Sequence, residues 1–145
     1  MATQIDQLAK ALLDAPVGHV EQTVSMIIKK PVYLKVVEQE PVSGTKYTRK
    51  IVIGHGQFPI LRAVVNFDSK NIPKTVMTGL LQKEESIGSI LRKNNITVQR
   101  RLATINFDRS RKKVTREYEI LCNGSVLFQI SEEIRLDFLR SCKDS

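Results

Sequence analysis

The chain has 145 residues, of which 41% are hydrophobic, and this is enough for one globular domain with a buried core. No run approaches eighteen apolar residues, and the N-terminus lacks the basic start and apolar run of a signal peptide, so neither a membrane span nor export is expected. The two cysteines and two histidines (Cys122, Cys142, His19, His55) have neither metal-site spacing nor a nucleophile motif beside them. We therefore expect one cytoplasmic domain over residues 1–145, without a metal centre.

The formal net charge of +8 indicates an anionic partner, and nucleic acid, a membrane surface or a small polyanion would each fit. However, the basic residues are scattered, aromatic residues make up only 6% of the chain and tryptophan is absent, so stacking on single-stranded nucleic acid is disfavoured. The basic run DRSRKK (108–113) lies between two strand-like segments and is best explained as a solvated hairpin tip. Nucleic acid is therefore an unlikely partner.

The first third of the chain predicts one helix and then strands. The helix has a weak capping signal, Thr3 with Asp6, and ends near Pro16; its apolar stripe is Ile5, Leu8, Ala9, Leu12 and Leu13. The segment 23–37 is rich in Val, Ile and Tyr and is broken at Pro31, which predicts one kinked strand or two short ones.

The rest of the chain alternates between hairpins and short helices. A turn at EPVSGTK (40–46) precedes the strands YTRKIVI (47–53) and FPILRAVVNF (58–67). Two helices are predicted at 75–81 and 86–93, with Ser86 as a cap for the second. Strands follow at 96–107, 113–122 and 125–136, the last two joined by an Asn-Gly turn, and the tail RSCKDS is expected to fray. This order predicts an α+β domain on an antiparallel sheet.

The two hairpins repeat one design. YTRKIVIGHGQFPIL and VTREYEILCNGSVLF share a Thr-Arg entry, an apolar alternation, a glycine-containing turn and an apolar return. Arg49 in the first copy and Arg116 in the second both fall on the apolar side of their strands. The repeat predicts a pseudo-symmetric sheet.

Glu132 also falls on an apolar face, which raises the question of how these inward-facing charges are accommodated. An isolated buried ion costs several kcal/mol, so each should be paired or should face a polar cavity. One explanation is a salt bridge between Arg116 and Glu132 across their hairpin. The other is a closed pocket in which an arginine binds a ligand carboxylate in a bidentate fork and the glutamate receives a hydroxyl. The alternation of residues does not separate them.

Three segments together resemble the chorismate pyruvate-lyase family: RKIVIGHGQFPILRAVVNF, LLQKEESIGSILRKNN and REYEILCNGSVLFQISEEI. That family shares its fold with the UTRA ligand-binding domains of bacterial transcription regulators, and the resemblance covers residues 10–136. It implies an antiparallel sheet that encloses a buried ligand pocket beneath short helical flaps. It also implies the conversion of chorismate to 4-hydroxybenzoate and pyruvate without a metal or cofactor.

The resemblance assigns roles to individual residues. Arg49 matches the family arginine that holds the ligand carboxylate, and Glu132 matches the glutamate near the ligand hydroxyl. Ile87 and Gly88 match a flap whose backbone amide meets the same carboxylate. Pro16 falls where the family supplies a second amide, and since proline has no N–H, Val17 is expected to serve instead.

The chain also departs from the family pattern. Ser86 stands where the flap usually begins with proline, and EEIRLD follows at the glutamate in place of an aromatic residue and a proline. These departures bear on substrate positioning and on activity.

From these matches we expect a chorismate lyase in which Arg49 and Glu132 are catalytic, acting by orientation and charge placement rather than by a nucleophile. Arg116, or else Arg100 or Arg101, is expected to hold the second carboxylate of the substrate. The alternative is a non-catalytic UTRA-like module that binds a small aromatic or other carboxylate.

Overall fold

Six antiparallel strands form one sheet in the computed structural model, which describes residues 7–110 and 112–144. Along the sheet the strands run in the order β1-β2-β3-β6-β5-β4, which leaves β1 and β4 at the edges. The strands are β1 (Tyr33–Ser43), β2 (Lys46–His55), β3 (Phe58–Asp68), β4 (Gln99–Phe107), β5 (Lys113–Cys122) and β6 (Ser125–Arg135).

Short helices cover one face of this sheet. They are α1 (Gln7–Leu13), α2 (Val20–Ile28), α3 (Lys74–Leu81), α4 (Ile87–Lys93) and α5 (Leu136–Asp144), with a 3-10 turn at Ser69–Asn71. The central strands alternate accordingly: in β3, Ala63 and Val65 are buried whereas Arg62 and Asn66 are exposed. A sheet with one covered and one solvated face is typical of antiparallel α+β domains, so the expected fold class is confirmed. No helix in the described ranges is long and apolar enough to cross a membrane.

The sheet has the internal pseudo-symmetry that the sequence repeat predicts. Its strand order reads the same from both edges when β1–β3 are exchanged with β4–β6, and each half is preceded by two helices. The ladders β2–β3 and β5–β6 even share a bulge, after Ile53 in one and after Ile120 in the other. The two halves are related by a constant offset in residue number. The offset that makes Arg49 equivalent to Arg116 also makes Val65 equivalent to Glu132.

Two local predictions are confirmed by the backbone. Asn123 and Gly124 both have positive φ, 51° and 82°, as the tight turn of a two-residue hairpin requires. Ser86 caps α4, because its hydroxyl oxygen accepts a hydrogen bond from the amide of Ser89 at 3.1 Å.

The strand predicted at 23–37 is wrong over its first half, because Val20–Ile28 is α2. Val20, Val24 and Ile28 recur every four residues, and the last two are buried in the core. This helical stripe outweighs the strand preference of β-branched residues, and the strand starts only at Tyr33. The predicted turn at 40–46 is also shorter, since β1 continues to Ser43.

The tail does not fray but forms α5, contrary to the prediction. Leu136, Leu139 and Cys142 lie on one side of this helix and are at most 1% exposed. Phe138 packs against Phe58 of β3, with ring centroids 5.6 Å apart. The polar residues between the apolar positions conceal this stripe in the sequence. At the other end, Thr3, Ile5 and Asp6 of the predicted first helix lie outside the described residues.

We predict that Leu139→Ala lowers the free energy of unfolding by about 2–5 kcal/mol, because it leaves a cavity where a fully buried side chain anchored α5 to the core. Chemical denaturation followed by circular dichroism measures this. Leu81→Ala is the matched control: Leu81 is 55% exposed, and its truncation should change stability by less than about 0.5 kcal/mol. Equal effects of the two substitutions would contradict the assignment of α5 to the core.

Candidate functional site

A small cavity lies between the covered face of the sheet and two loops, which we call the flaps. The first flap is the 14–19 loop between α1 and α2, and the second is the 82–88 segment that leads into α4. The cavity volume is about 70 Å³, and its walls are mainly apolar side chains of β2, β3, β5 and β6. The polar residues that border it are Glu21, Arg49, Ser86, Arg100, Tyr118 and Glu132.

The flaps close the cavity by direct backbone contact between two glycines. A Cβ atom on Gly88 would lie 2.1 Å from the Cα of Gly18, so no side chain can be accommodated at position 88 without movement. Gly18 has φ +91°, a conformation that side chains disfavour. Arg92 of α4 reinforces the contact, since its Nη1 donates to the Gly18 carbonyl at 3.1 Å. The two flaps therefore form one lid.

Arg49 on β2 is fully buried and borders the cavity. Its Nη1 donates to Oε1 of Gln39 at 3.3 Å, its Nη2 donates to the Glu85 carbonyl, and its Nε has no acceptor. Within residues 7–110 and 112–144, no carboxylate lies within ion-pair distance of this guanidinium. Burial lowers the pKa of Arg49 to about 10, so the group remains charged at neutral pH. The cavity is thus bordered by a buried cation without a counter-ion.

Arg116, at the equivalent place on β5, has the counter-ion that Arg49 lacks. Glu132 lies directly opposite Arg116 on β6, and Nε donates to Oε1 at 2.7 Å with both side chains buried. The residue directly opposite Arg49 on β3 is Val65, which corresponds by pseudo-symmetry to Glu132. A valine therefore stands where the other half of the sheet supplies a carboxylate.

Glu132 is held by two neighbours and also borders the cavity, so the predicted salt bridge is present and a cavity lies beside it. Its second oxygen, Oε2, accepts a hydrogen bond from the Tyr118 hydroxyl at 2.8 Å. Burial, with Glu132 adjacent, raises the pKa of Tyr118 far above its usual value, so the phenol stays protonated and donates. Each carboxylate oxygen already has one strong donor.

Of the three arginines expected to take a second carboxylate, only Arg100 reaches the cavity wall. Its Nη1 donates to the Ala15 carbonyl at 3.1 Å, and burial, followed by the neighbouring Arg116, lowers its pKa. Arg116 lies behind Tyr118 and uses Nη1 on the Leu13 carbonyl at 3.1 Å. Arg101 is exposed and is paired with Glu119. Arg116 thus has a structural role here and does not border the cavity.

The other predicted site residues, Val17, Ile87 and Gly88, all border the cavity, as do two ionisable residues that the sequence analysis did not select, Tyr118 and Glu21. Tyr118 could have been found, because it alternates with Arg116 on the inner side of β5. Glu21 was missed because no helix was predicted over its segment, whereas it belongs to the first turn of α2. Burial raises the pKa of the Glu21 carboxyl.

Comparison with known proteins gives matches in structure only: no family model and no curated protein sequence matches this chain. The effector domain of PhnF from Mycobacterium smegmatis superposes with a TM-score of 0.60 at 9% identity, over 85% of this chain and 91% of that one. A GntR-family transcriptional regulator from Bacillus cereus gives 0.50 at 16% identity, over 73% and 92%. A longer PhnF structure gives 0.53 at 9% identity, over 74% of this chain and 60% of that one. At these identities the comparisons establish a shared fold, the UTRA-like fold.

We predict that Val65→Glu supplies the missing counter-ion to Arg49. The substitution should be less destabilising with Arg49 present than in an Arg49→Met background, by about 2–3 kcal/mol, because the buried carboxylate would otherwise lack a partner. Denaturation of the four proteins of this double-mutant cycle gives the coupling energy.

The control for this cycle is Val64→Glu, whose side chain lies on the opposite face of the same strand. It should show no coupling with Arg49. An equal cost of Val65→Glu in both backgrounds would mean that the guanidinium does not face position 65.

Proposed function

We propose that this domain binds a small organic carboxylate in the cavity beneath the flaps and does not transform it chemically. The observation that carries the proposal is the buried, charged Arg49 at the cavity wall, whose Nε has no acceptor and which has no carboxylate partner in the described part of the chain. A buried ion that persists in a fold is ordinarily paired, and a ligand carboxylate is the simplest partner for this one.

The unused donor has the geometry that such a ligand needs. Nε and the adjacent Nη2 of Arg49 form one edge of the guanidinium, which can donate two parallel hydrogen bonds to a carboxylate. The ligand anion would then lie above Val65, in the place that Glu132 occupies beside Arg116. Ile51 and Ile130 would contact the apolar body of the ligand. At the far wall, Glu132 and Tyr118 would face a hydroxyl or similar polar group.

Ligand entry requires the flaps to separate. A cavity that holds one benzene ring has a volume of about 150 Å³, whereas this cavity measures about 70 Å³ with Gly18 and Gly88 in contact. An open cleft of about 610 Å³ lies just outside and shares Val17, Gly88 and Arg100 with the cavity wall. Separation of the two glycines would join the cleft to the cavity and admit an aromatic acid.

Binding without turnover is favoured over catalysis because Glu132 is already occupied. Both oxygens of its carboxylate accept hydrogen bonds within the protein, one from the Arg116 guanidinium and one from the Tyr118 hydroxyl, before any substrate is present. The fold neighbours, which include the effector domain of PhnF, are consistent with a sensing role. A cytoplasmic location, expected from the sequence, remains a prediction.

We predict that 4-hydroxybenzoate binds to the wild-type protein in isothermal titration calorimetry and that its uncharged analogue 4-hydroxybenzamide binds much more weakly. Arg49→Met should weaken carboxylate binding by about 10- to 150-fold, which corresponds to the loss of hydrogen bonds to a charged group. Arg62→Met is the control, because Arg62 lies exposed on the outer face of β3. The proposal fails if a panel of small carboxylates gives no binding, or if Arg49→Met and Arg62→Met bind equally.

A second candidate function is the chorismate lyase reaction, and one observation favours it: Arg49 and Glu132 border the same cavity, as that reaction would require. Incubation with chorismate, with 4-hydroxybenzoate and pyruvate followed by chromatography, tests it directly. A rate above the uncatalysed background that falls in Glu132→Gln would establish the lyase and displace the binding-only proposal. We expect no product above background.

A further inference from the structure

The two edges of the sheet differ in how they are protected against pairing with another chain. Strand β1 carries Lys35, Glu38, Glu40 and Pro41 along its length, and charges and proline are the devices that keep an edge strand unpaired. Strand β4 has no charged residue and no proline in its last six positions, LATINF (102–107). An edge without such protection is suited to being paired.

Strand β4 also exposes apolar side chains on the face that is buried elsewhere in the sheet. Leu102, Ile105 and Phe107 are 50%, 38% and 45% exposed. They lie opposite Tyr118, Arg116 and Val114 of β5, all of which are buried, so they continue the inner face beyond the region that the helices cover. A contiguous apolar strip beside unpaired backbone groups favours strand addition.

From these features we infer that β4 pairs antiparallel with β4 of a second copy of this chain, around a twofold axis at Ile105. Ile105 then faces its own copy. The β4–β5 ladder has a bulge at Ala103, since its register shifts between Leu102 and Thr104. If Ala103 is also left unpaired in the ladder between the two copies, Leu102 comes opposite Phe107 of the other copy. Apolar residues then pair with each other on the inner face.

The same register pairs the polar residues of the strand. Thr104 comes opposite Asn106 on the outer face, and Arg101 at one end comes opposite Asp108 at the other. Arg101 is exposed and pairs with Glu119, and Asp108 is half-buried and accepts hydrogen bonds from the Ser110 hydroxyl and the Lys112 amide, so this pair would bring opposite charges together at each end of the ladder. Because the strand is complementary to itself in apolar, polar and charged positions, the second copy is favoured over an unrelated partner.

Sedimentation velocity over a range of protein concentrations tests the inference. The wild-type protein should sediment as a dimer, and Ile105→Lys should raise the dissociation constant by roughly 100-fold or more, because it places two lysines against each other on the axis. The matched control is Val42→Lys on the opposite edge, where Val42 is 67% exposed; it should leave the dimer unchanged. Circular dichroism of both variants verifies that they remain folded.

Cross-linking tests the register itself. Residues directly opposite in an antiparallel pair have Cα atoms about 4.5–5.5 Å apart, within the range of a disulfide. Ile105→Cys should therefore form a covalent dimer on mild oxidation, whereas Val42→Cys should behave like the wild-type protein with its native Cys122 and Cys142. A monomeric wild-type protein at all concentrations would overturn the inference, and so would a dimer that Ile105→Lys leaves intact.

Discussion

The constraint on which the rest of this structure depends is the cost of placing a guanidinium inside the fold. The sheet does so twice, at equivalent places in two pseudo-symmetric halves, and it resolves the two cases differently. Arg116 is neutralised by Glu132 and further fastened to the end of α1 through the Leu13 carbonyl. Among the residues that the structure describes, Arg49 donates to two uncharged acceptors, the Gln39 side chain and the Glu85 carbonyl, and to no carboxylate. The neutralised arginine connects the sheet to α1, and the other is the residue to which we assign the proposed ligand carboxylate.

The different pairing of the two arginines makes the cavity wall asymmetric, although the sheet that carries them is pseudo-symmetric. Gln39, which accepts from Arg49, also donates to the Leu80 carbonyl at 2.7 Å, so it connects the guanidinium to the end of α3. Leu80 corresponds by pseudo-symmetry to Leu13, the residue that anchors Arg116. In each half an arginine is therefore connected to the C-terminal end of the first helix of the other half, directly for Arg116 and through a glutamine for Arg49. Equivalent positions of the framework therefore have different partners: one arginine is neutralised within the fold, and the other is the residue for which we propose a ligand.

The sequence predicted the sheet well because a strand with one covered face leaves a two-residue alternation, and the Asn123-Gly124 turn sets one register without ambiguity. It failed at α2, where β-branched residues concealed a four-residue stripe, and at α5, where polar residues did so. The alternation showed that Arg49, Arg116 and Glu132 point inward. It could not show which of them are in contact. The face on which a residue lies follows from the local alternation along its strand, whereas its contacts across the sheet depend on the order of the strands. No local sequence pattern could predict the contact of Gly18 with Gly88, since it joins two segments seventy residues apart.

The glycine contact between the flaps bears on the rate of ligand exchange as well as on the shape of the cavity. For the ligand proposed above, a lid closed backbone to backbone would leave no open groove for exit, so binding and release would both wait for the same opening motion, of a kind that occurs over microseconds to milliseconds. Association would then be slower than simple encounter allows, and occupancy would persist after the ligand concentration falls. Such a domain would average the ligand concentration over the lifetime of the closed state, and it would respond to sustained changes more than to brief ones.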